Sequence, residues 1–312
     1  MILATLGLLA VLGACAGQEA TPTATATATT VAPVDEGPAV TETVVAEVTA
    51  TVEAPTTSVA QIGKYGGVMR WAVKQEWTGT NPVRAGSITA QSYFAPSYSS
   101  LVRFDPNDKT MDMSKIVGDL ASSWEVQDGG KTYVFHLRDN AFFHDGDKVT
   151  CQDVKTTFDH SLTVSGGGHR ADFSEFFAGG ECPDPLTYVF KVSTPLPKVL
   201  PTLAGRRTQG GAILSAKQIA AIGGIKSTKH WKPAETVGSG PFKFKSADVA
   251  AGWEGTRVDN YYRFDAAGNR LPYLDGYISF GITDTGTRNA AYLGGQLDAI
   301  QSVTLETRSA QE

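Results

Sequence analysis

No Lys or Arg precedes Lys64, and no aromatic ring precedes Tyr65. Against that gap stand six acids, Glu19, Asp35, Glu36, Glu42, Glu47 and Glu53, so the formal net charge of −5 comes from the amino-terminal stretch. From Ile62 onward 27 basic residues face 26 acidic ones. A balanced body offers no field to draw in a polyanion, which argues against nucleic acid as a partner. No run of eighteen apolar residues occurs, which excludes an ordinary membrane-spanning helix. The five histidines, His136, His144, His160, His169 and His230, have no H-x-x-x-H or C-x-x-C company, so no metal site is expected. The P-loop pattern is absent. Gly238-Ser239-Gly240 lacks the flanking spacing and the strand-to-helix elbow of a nucleophile motif. Nothing positive supports an enzyme, and neither cofactor nor catalytic residue is expected. A surface hydrolase stands as an alternative from another class.

What is present first is an export signal. Met1 to Gly13 is an apolar h-region. It ends in Leu12-Gly13-Ala14-Cys15, which resembles the lipobox of bacterial lipoproteins. The resemblance implies cleavage before Cys15, diacylation of its sulfur and a lipid anchor in the membrane; the positively charged n-region of such signals is absent. A plain signal peptide with a chance cysteine is the competing reading. Residues 15–60 then read as the lipidated Cys followed by a disordered linker rich in Thr, Ala and Pro. Without rings, such a segment buries too little apolar surface to offset the entropy of ordering it. The folded body is expected at 61–312.

That body is organised around residues 118–162. Tyr133, Phe135 and Leu137 alternate with Thr132, Val134 and His136, the pattern of a half-buried strand. Asp128-Gly129-Gly130 supplies the turn that pairs it with Trp124-Glu125-Val126. His144-Asp145-Gly146-Asp147 is a second turn. Thr150 caps a helix, with Asp153 as its capping-box partner and Val154, Phe158 and Leu162 on the core face.

The order L-A-x-x-W-E-V, D-G-G-K-T-Y-x-F-x-L-R, F-H-D-G and T-x-x-D-V resembles the signature region of the family 5 extracellular solute-binding proteins, the oligopeptide, dipeptide and nickel binding proteins of ABC importers. Val237 to Phe244 resembles that family's G-[ST]-G-P-[YF] crossing segment, and Gly295 to Asp298 its G-x-[LI]-D pattern, so the likeness runs from about Gly66 to Ile300. It implies an α/β fold: a periplasmic-binding-protein-like lobe with an additional subdomain, and a second lobe largely missing. Along that span, strands are expected at Val68 to Val73, Thr187 to Val192, Ala212 to Leu214 and Tyr277 to Ile282. Helices are expected within Ile88 to Leu101, at Pro197 to Ala204, after Ser215, and at Thr285 to Leu293.

By the same resemblance, backbone groups of Gly86, Ser87 and Ile88, and of Ser239 and Gly240, contact the ligand. Tyr98 and Trp77 are aromatic walls, with core packing as the competing reading. Arg206-Arg207 meets an anionic group or is merely solvated. With Cys15 lipidated, Cys151 and Cys182 remain as a disulfide pair or as two buried thiols; a bridge closing about 30 residues would contribute roughly 3–4 kcal/mol. The implied function is capture of a peptide-like or other small solute on the outer face of the cytoplasmic membrane or in the periplasm, and delivery to the transmembrane subunits of an ABC permease. A truncated, non-transporting surface lipoprotein is the alternative.

Overall fold

The computed structural model describes residues 63–74, 79–84, 92–93, 95–110, 112, 114–164, 173–205, 211–248 and 252–301. The signal and linker readings, Cys15, Trp77, Gly86, Ser87, Ile88 and Arg206-Arg207 lie outside them.

Two sheets divide the described chain. In the first, strands β1 (Val68–Val73), β8 (Phe242–Asp248), β9 (Gly252–Arg257), β10 (Gly276–Gly281) and β11 (Ala299–Ile300) lie in the order β11-β1-β10-β9-β8. β1 is parallel to both β10 and β11, whereas β9 runs antiparallel to β10 and β8. β10 reaches β11 through helix α4 (Thr285–Leu293), a crossover that leaves β1 between them. Asp284 starts that helix by accepting from the Thr287 N–H at 2.7 Å, and Gly295, at φ 70°, closes it.

The second sheet is antiparallel: β4 (Ala121–Gln127), β5 (Thr132–Leu137), β7 (Thr187–Val192) and β6 (Phe177–Asp184), in the order β4-β5-β7-β6. It is the additional subdomain. The β4–β5 hairpin turns through Asp128, Gly129 and Gly130, all at positive φ, and its inward residues Tyr133, Phe135 and Leu137 are buried as their alternation predicts. Helix α1 (Cys151–Thr163) packs on this sheet. The Asp153 carboxylate accepts from the Thr150 N–H at 2.9 Å and from its hydroxyl at 2.8 Å, while its other oxygen takes the Ala216 N–H at 2.9 Å. One side chain thus starts α1 and fastens to it the helix that begins at Ala216. Phe158 stacks on Tyr188 at 5.7 Å and meets Phe173 edge-on at 5.2 Å; such ring pairs add about 0.5–1.5 kcal/mol each beyond burial. Cys151 and Cys182 are joined as a disulfide that links the first turn of α1 to β6. Cys182 lies within β6 and ahead of β7.

A short antiparallel pair, β2 (Val102–Phe104) and β3 (Ile116–Gly118), lies between β1 and β4 in sequence. Helices α2 (Val199–Leu203) and α3 (Ala216–Ala221) follow β7 in sequence. One expectation needs correction. Ala212 to Leu214 joins no sheet: the Ile213 N–H goes to the Ser99 carbonyl at 2.9 Å and the Leu214 N–H to the Thr157 hydroxyl at 2.9 Å, so no ladder is left to form. Ile88 to Leu101 is expected to be helical in part and interrupted by Pro96; its described part holds one 3₁₀ turn, Ala95–Ser97, around that proline, and residues 88–91 and 94 lie outside the described residues.

Candidate functional site

The carboxyl ends of β1, β10 and β11 meet at one edge of the five-stranded sheet. In open α/β sheets, ligands bind outside the carboxyl ends of strands. Here the Ile282 N–H donates to the Val73 carbonyl at 3.0 Å, the Gln301 N–H to the Ala72 carbonyl at 2.8 Å, and the Lys74 N–H to Gln301 Oε1 at 3.3 Å. Arg288 closes the same end. Its side chain is buried and donates to the Ile282 carbonyl at 2.6 Å and to Thr285 Oγ1 at 3.2 Å. The Thr287 hydrogen bonds hold the Asp284 carboxyl below the usual carboxylate range, and the Arg288 charge adds the smallest share. None of these residues was singled out from sequence. Arg288 sits in an unremarkable helical run, so the available signal was the strand-to-helix position of Asp284 alone.

The crossing segment lies at the other end. Phe242 pairs with Arg257, Thr256 with Gly276 and Gly276 with Val68, so the start of β8 is level with the start of β1. Tyr98, Ser239 and Gly240 are brought together there, away from the carboxyl ends. The Gly240 N–H donates to the Ser97 carbonyl at 3.0 Å. A Cβ on Gly238 would stand 1.7 Å from the Ser97 carbonyl oxygen, and one on Gly240 2.5 Å from that of Pro96, so both glycines permit a close backbone approach. Ser239 is 1% exposed; its carbonyl accepts from the Ser99 hydroxyl at 3.1 Å, while its own hydroxyl has no partner among the described residues. Tyr98 is 6% exposed in a core with Trp231, Phe242, Trp253 and Tyr277, and burial raises its phenol well above the ordinary range.

His144, read from sequence as part of a turn, clamps this segment. Its backbone N–H donates to the Gly238 carbonyl at 2.8 Å. Its Nδ1 accepts from the Gly238 N–H at 3.3 Å, and its Nε2 lies 3.0 Å from the Gly240 carbonyl. The neutral ring protonated on Nε2 satisfies both contacts, whereas a second proton on Nδ1 would face a donor. Burial accordingly lowers the imidazole to about 4; the Gly240 bond opposes the shift and Lys243 adds to it.

Behind the segment, the Tyr262 hydroxyl donates to Asp119 Oδ1 at 2.9 Å and lies 2.9 Å from Ser99 Oγ. Asp119 also accepts the Ser100 N–H at 3.0 Å, and burial raises its carboxyl. The turn at 81–84, which leads toward residues 86–88, is held similarly. Asn81 Nδ2 lies 3.2 Å from His160 Nε2, whose other nitrogen meets the Ile225 carbonyl at 2.8 Å, and the Asn81 N–H donates to His230 Nδ1 at 3.2 Å. Burial lowers both imidazoles. Among the described residues no cluster of three or more His, Cys, Asp or Glu could hold a metal ion.

Residues 115–312 match the model for bacterial extracellular solute-binding proteins, family 5 Middle. The chain is 34% identical over 151 residues to a protein of Escherichia coli described as a probable D,D-dipeptide-binding periplasmic protein, covering 48% of this chain and 28% of that one. It is 33% identical over 220 residues to an ABC transporter peptide-binding protein of Brucella ovis, covering 70% of this chain and 38% of the relative. Among solved structures, the periplasmic binding protein DppA of Helicobacter pylori in complex with the peptide STSA superposes with a TM-score of 0.64 at 21% identity, over 79% of this chain and 49% of that one. At that identity the superposition speaks for the fold. The chain spans less than half the length of these relatives. By fold and by family match, it belongs to the bacterial extracellular solute-binding proteins of family 5.

Proposed function

We propose that this chain is the solute-capturing lobe of an extracytoplasmic lipoprotein that delivers a peptide-like solute to an ABC permease. The family match over residues 115–312 carries the reading. The sheet end formed by the carboxyl ends of β1, β10 and β11 supports it, because ligands of open α/β sheets bind outside such ends, where the α4 amino terminus also lies. Gly86, Ser87 and Ile88, which follow β1 in the chain, are the proposed direct contacts. Tyr98, Ser239 and Gly240 shape the lobe from behind, locked by His144 and Ser99. Closure onto the solute follows from its better contacts in the closed state.

In this reading the lipid on Cys15 holds the protein at the membrane, and residues 16–60 are its tether. Cys15→Ser is expected to move the protein from the membrane fraction to the soluble fraction of the producing cell. A variant that stays with the membrane like its parent would remove the anchor from the account.

A further inference from the structure

We infer that the cavity between the start of β8, β2 and the loop 261–274 is a binding site for a small organic anion, a carboxylate on an apolar body. The cavity has a volume of about 300 Å³. Phe242, Tyr261, Leu271 and Leu274 give it a largely apolar wall. Ligand pockets are commonly built this way, with a few charged groups set in an apolar lining.

The charges that line it are of one sign. Arg103 of β2 and Arg263 are its charged residues, and no Asp or Glu lines it. Arg263 is half-buried, and its side chain makes no hydrogen bond and no ion pair among the described residues. Arg103, also half-buried, makes no ion pair among them either; its one side-chain bond is a long one, from Nε to the Phe104 carbonyl at 3.5 Å.

The carboxylates behind the wall are committed elsewhere. Asp119 feels the Arg103 charge, but it is buried and accepts from the Ser100 N–H at 3.0 Å and the Tyr262 hydroxyl at 2.9 Å. Asp265 accepts from the Tyr273 hydroxyl and from Asn269 Nδ2, the latter at 2.9 Å. The Arg103 charge also acts on the phenol of Tyr261, so it is felt in the wall itself. Guanidinium groups without a carboxylate partner are the donors that grip an anionic oxygen group through paired N–H bonds. A lining of positive sign disfavours an ammonium guest, and the apolar wall favours an organic anion over an inorganic one. The cavity adjoins the start of β8, at the end of the sheet away from the carboxyl ends of β1, β10 and β11, so its failure leaves the solute reading untouched.

The test is calorimetric titration of the full chain with 3-phenylpropionate. The alcohol 3-phenylpropanol and the amine 3-phenylpropylammonium are its neutral and cationic counterparts, and inorganic phosphate is an anion without the apolar body. Saturable one-to-one binding of the carboxylate is expected, with the other three weaker by about tenfold or more. Arg263→Gln should weaken the carboxylate by about tenfold and Arg263→Glu should abolish its binding, both at the parent's urea midpoint, because the side chain has no partner to lose. Absence of saturable binding to the parent, equal affinity for the alcohol, the ammonium or phosphate, or undiminished binding in either variant would overturn the assignment.

Discussion

Replacing Cys151 and Cys182 together by alanine is expected to lower the free energy of unfolding by roughly 3–4 kcal/mol. The two residues are 31 apart in sequence, and their bridge closes a loop that contains all of α1. Without the crosslink, the unfolded chain regains the entropy of that loop, while the folded chain keeps its α1 packing through Val154, Phe158 and the Asp153 cap. The loss should appear as a lower urea midpoint at unchanged slope, and reducing the parent should reproduce most of it. A loss below about 1 kcal/mol would mean that α1 and β6 are already held together in the unfolded ensemble.

Acid should weaken the fold through His144. Its folded value of about 4 lies below the ordinary 6.5, so between those values the unfolded chain binds a proton that the folded chain refuses. Stability contributed by the neutral ring is therefore fully present above about pH 6.5, falls as pH drops through that window, and levels off below about 4. Each unit of difference is worth about 1.4 kcal/mol, which puts the full effect near 3 kcal/mol. His160 and His230 act with the same sign, so the His144 share is read from the difference between the parent and His144→Gln. That variant should be less stable at pH 7 and show a visibly shallower decline from pH 6.5 to 4. Parallel pH profiles for the two proteins would place the imidazole outside the role assigned to it.

The sequence made the hairpin, α1, and β10 with its following helix α4 legible because each is set by local chemistry. Positive-φ positions fix the turn at 128–130, a capping box starts α1, and paired glycines end α4. What it hid was set by partners remote in the chain. Ala212 to Leu214 has the apolar content of a strand, but its N–H groups are claimed by Ser99 and Thr157. His144 lies in an ordinary turn, and its role comes from Gly238 and Gly240, 94 and 96 residues away. The resemblance makes Ser239 and Gly240 backbone contacts to a ligand, and the smallness of Gly238 and Gly240 also serves a close approach to Pro96 and Ser97. Local pattern does not separate these two uses of glycine, and the register gives the segment's place, level with the start of β1.

The central claim is that these 312 residues supply one wall of a solute cleft. A wall that offers mainly backbone hydrogen bonds, each worth about 0.5–1.5 kcal/mol net, barely offsets an association cost of about 4 kcal/mol or more. Saturation-transfer titration of the full chain with di- to tetrapeptides is the most direct test. The account predicts saturable binding no tighter than about millimolar, roughly −4 kcal/mol. A micromolar dissociation constant would contradict it, because it would require a second wall that the one-lobe reading does not contain.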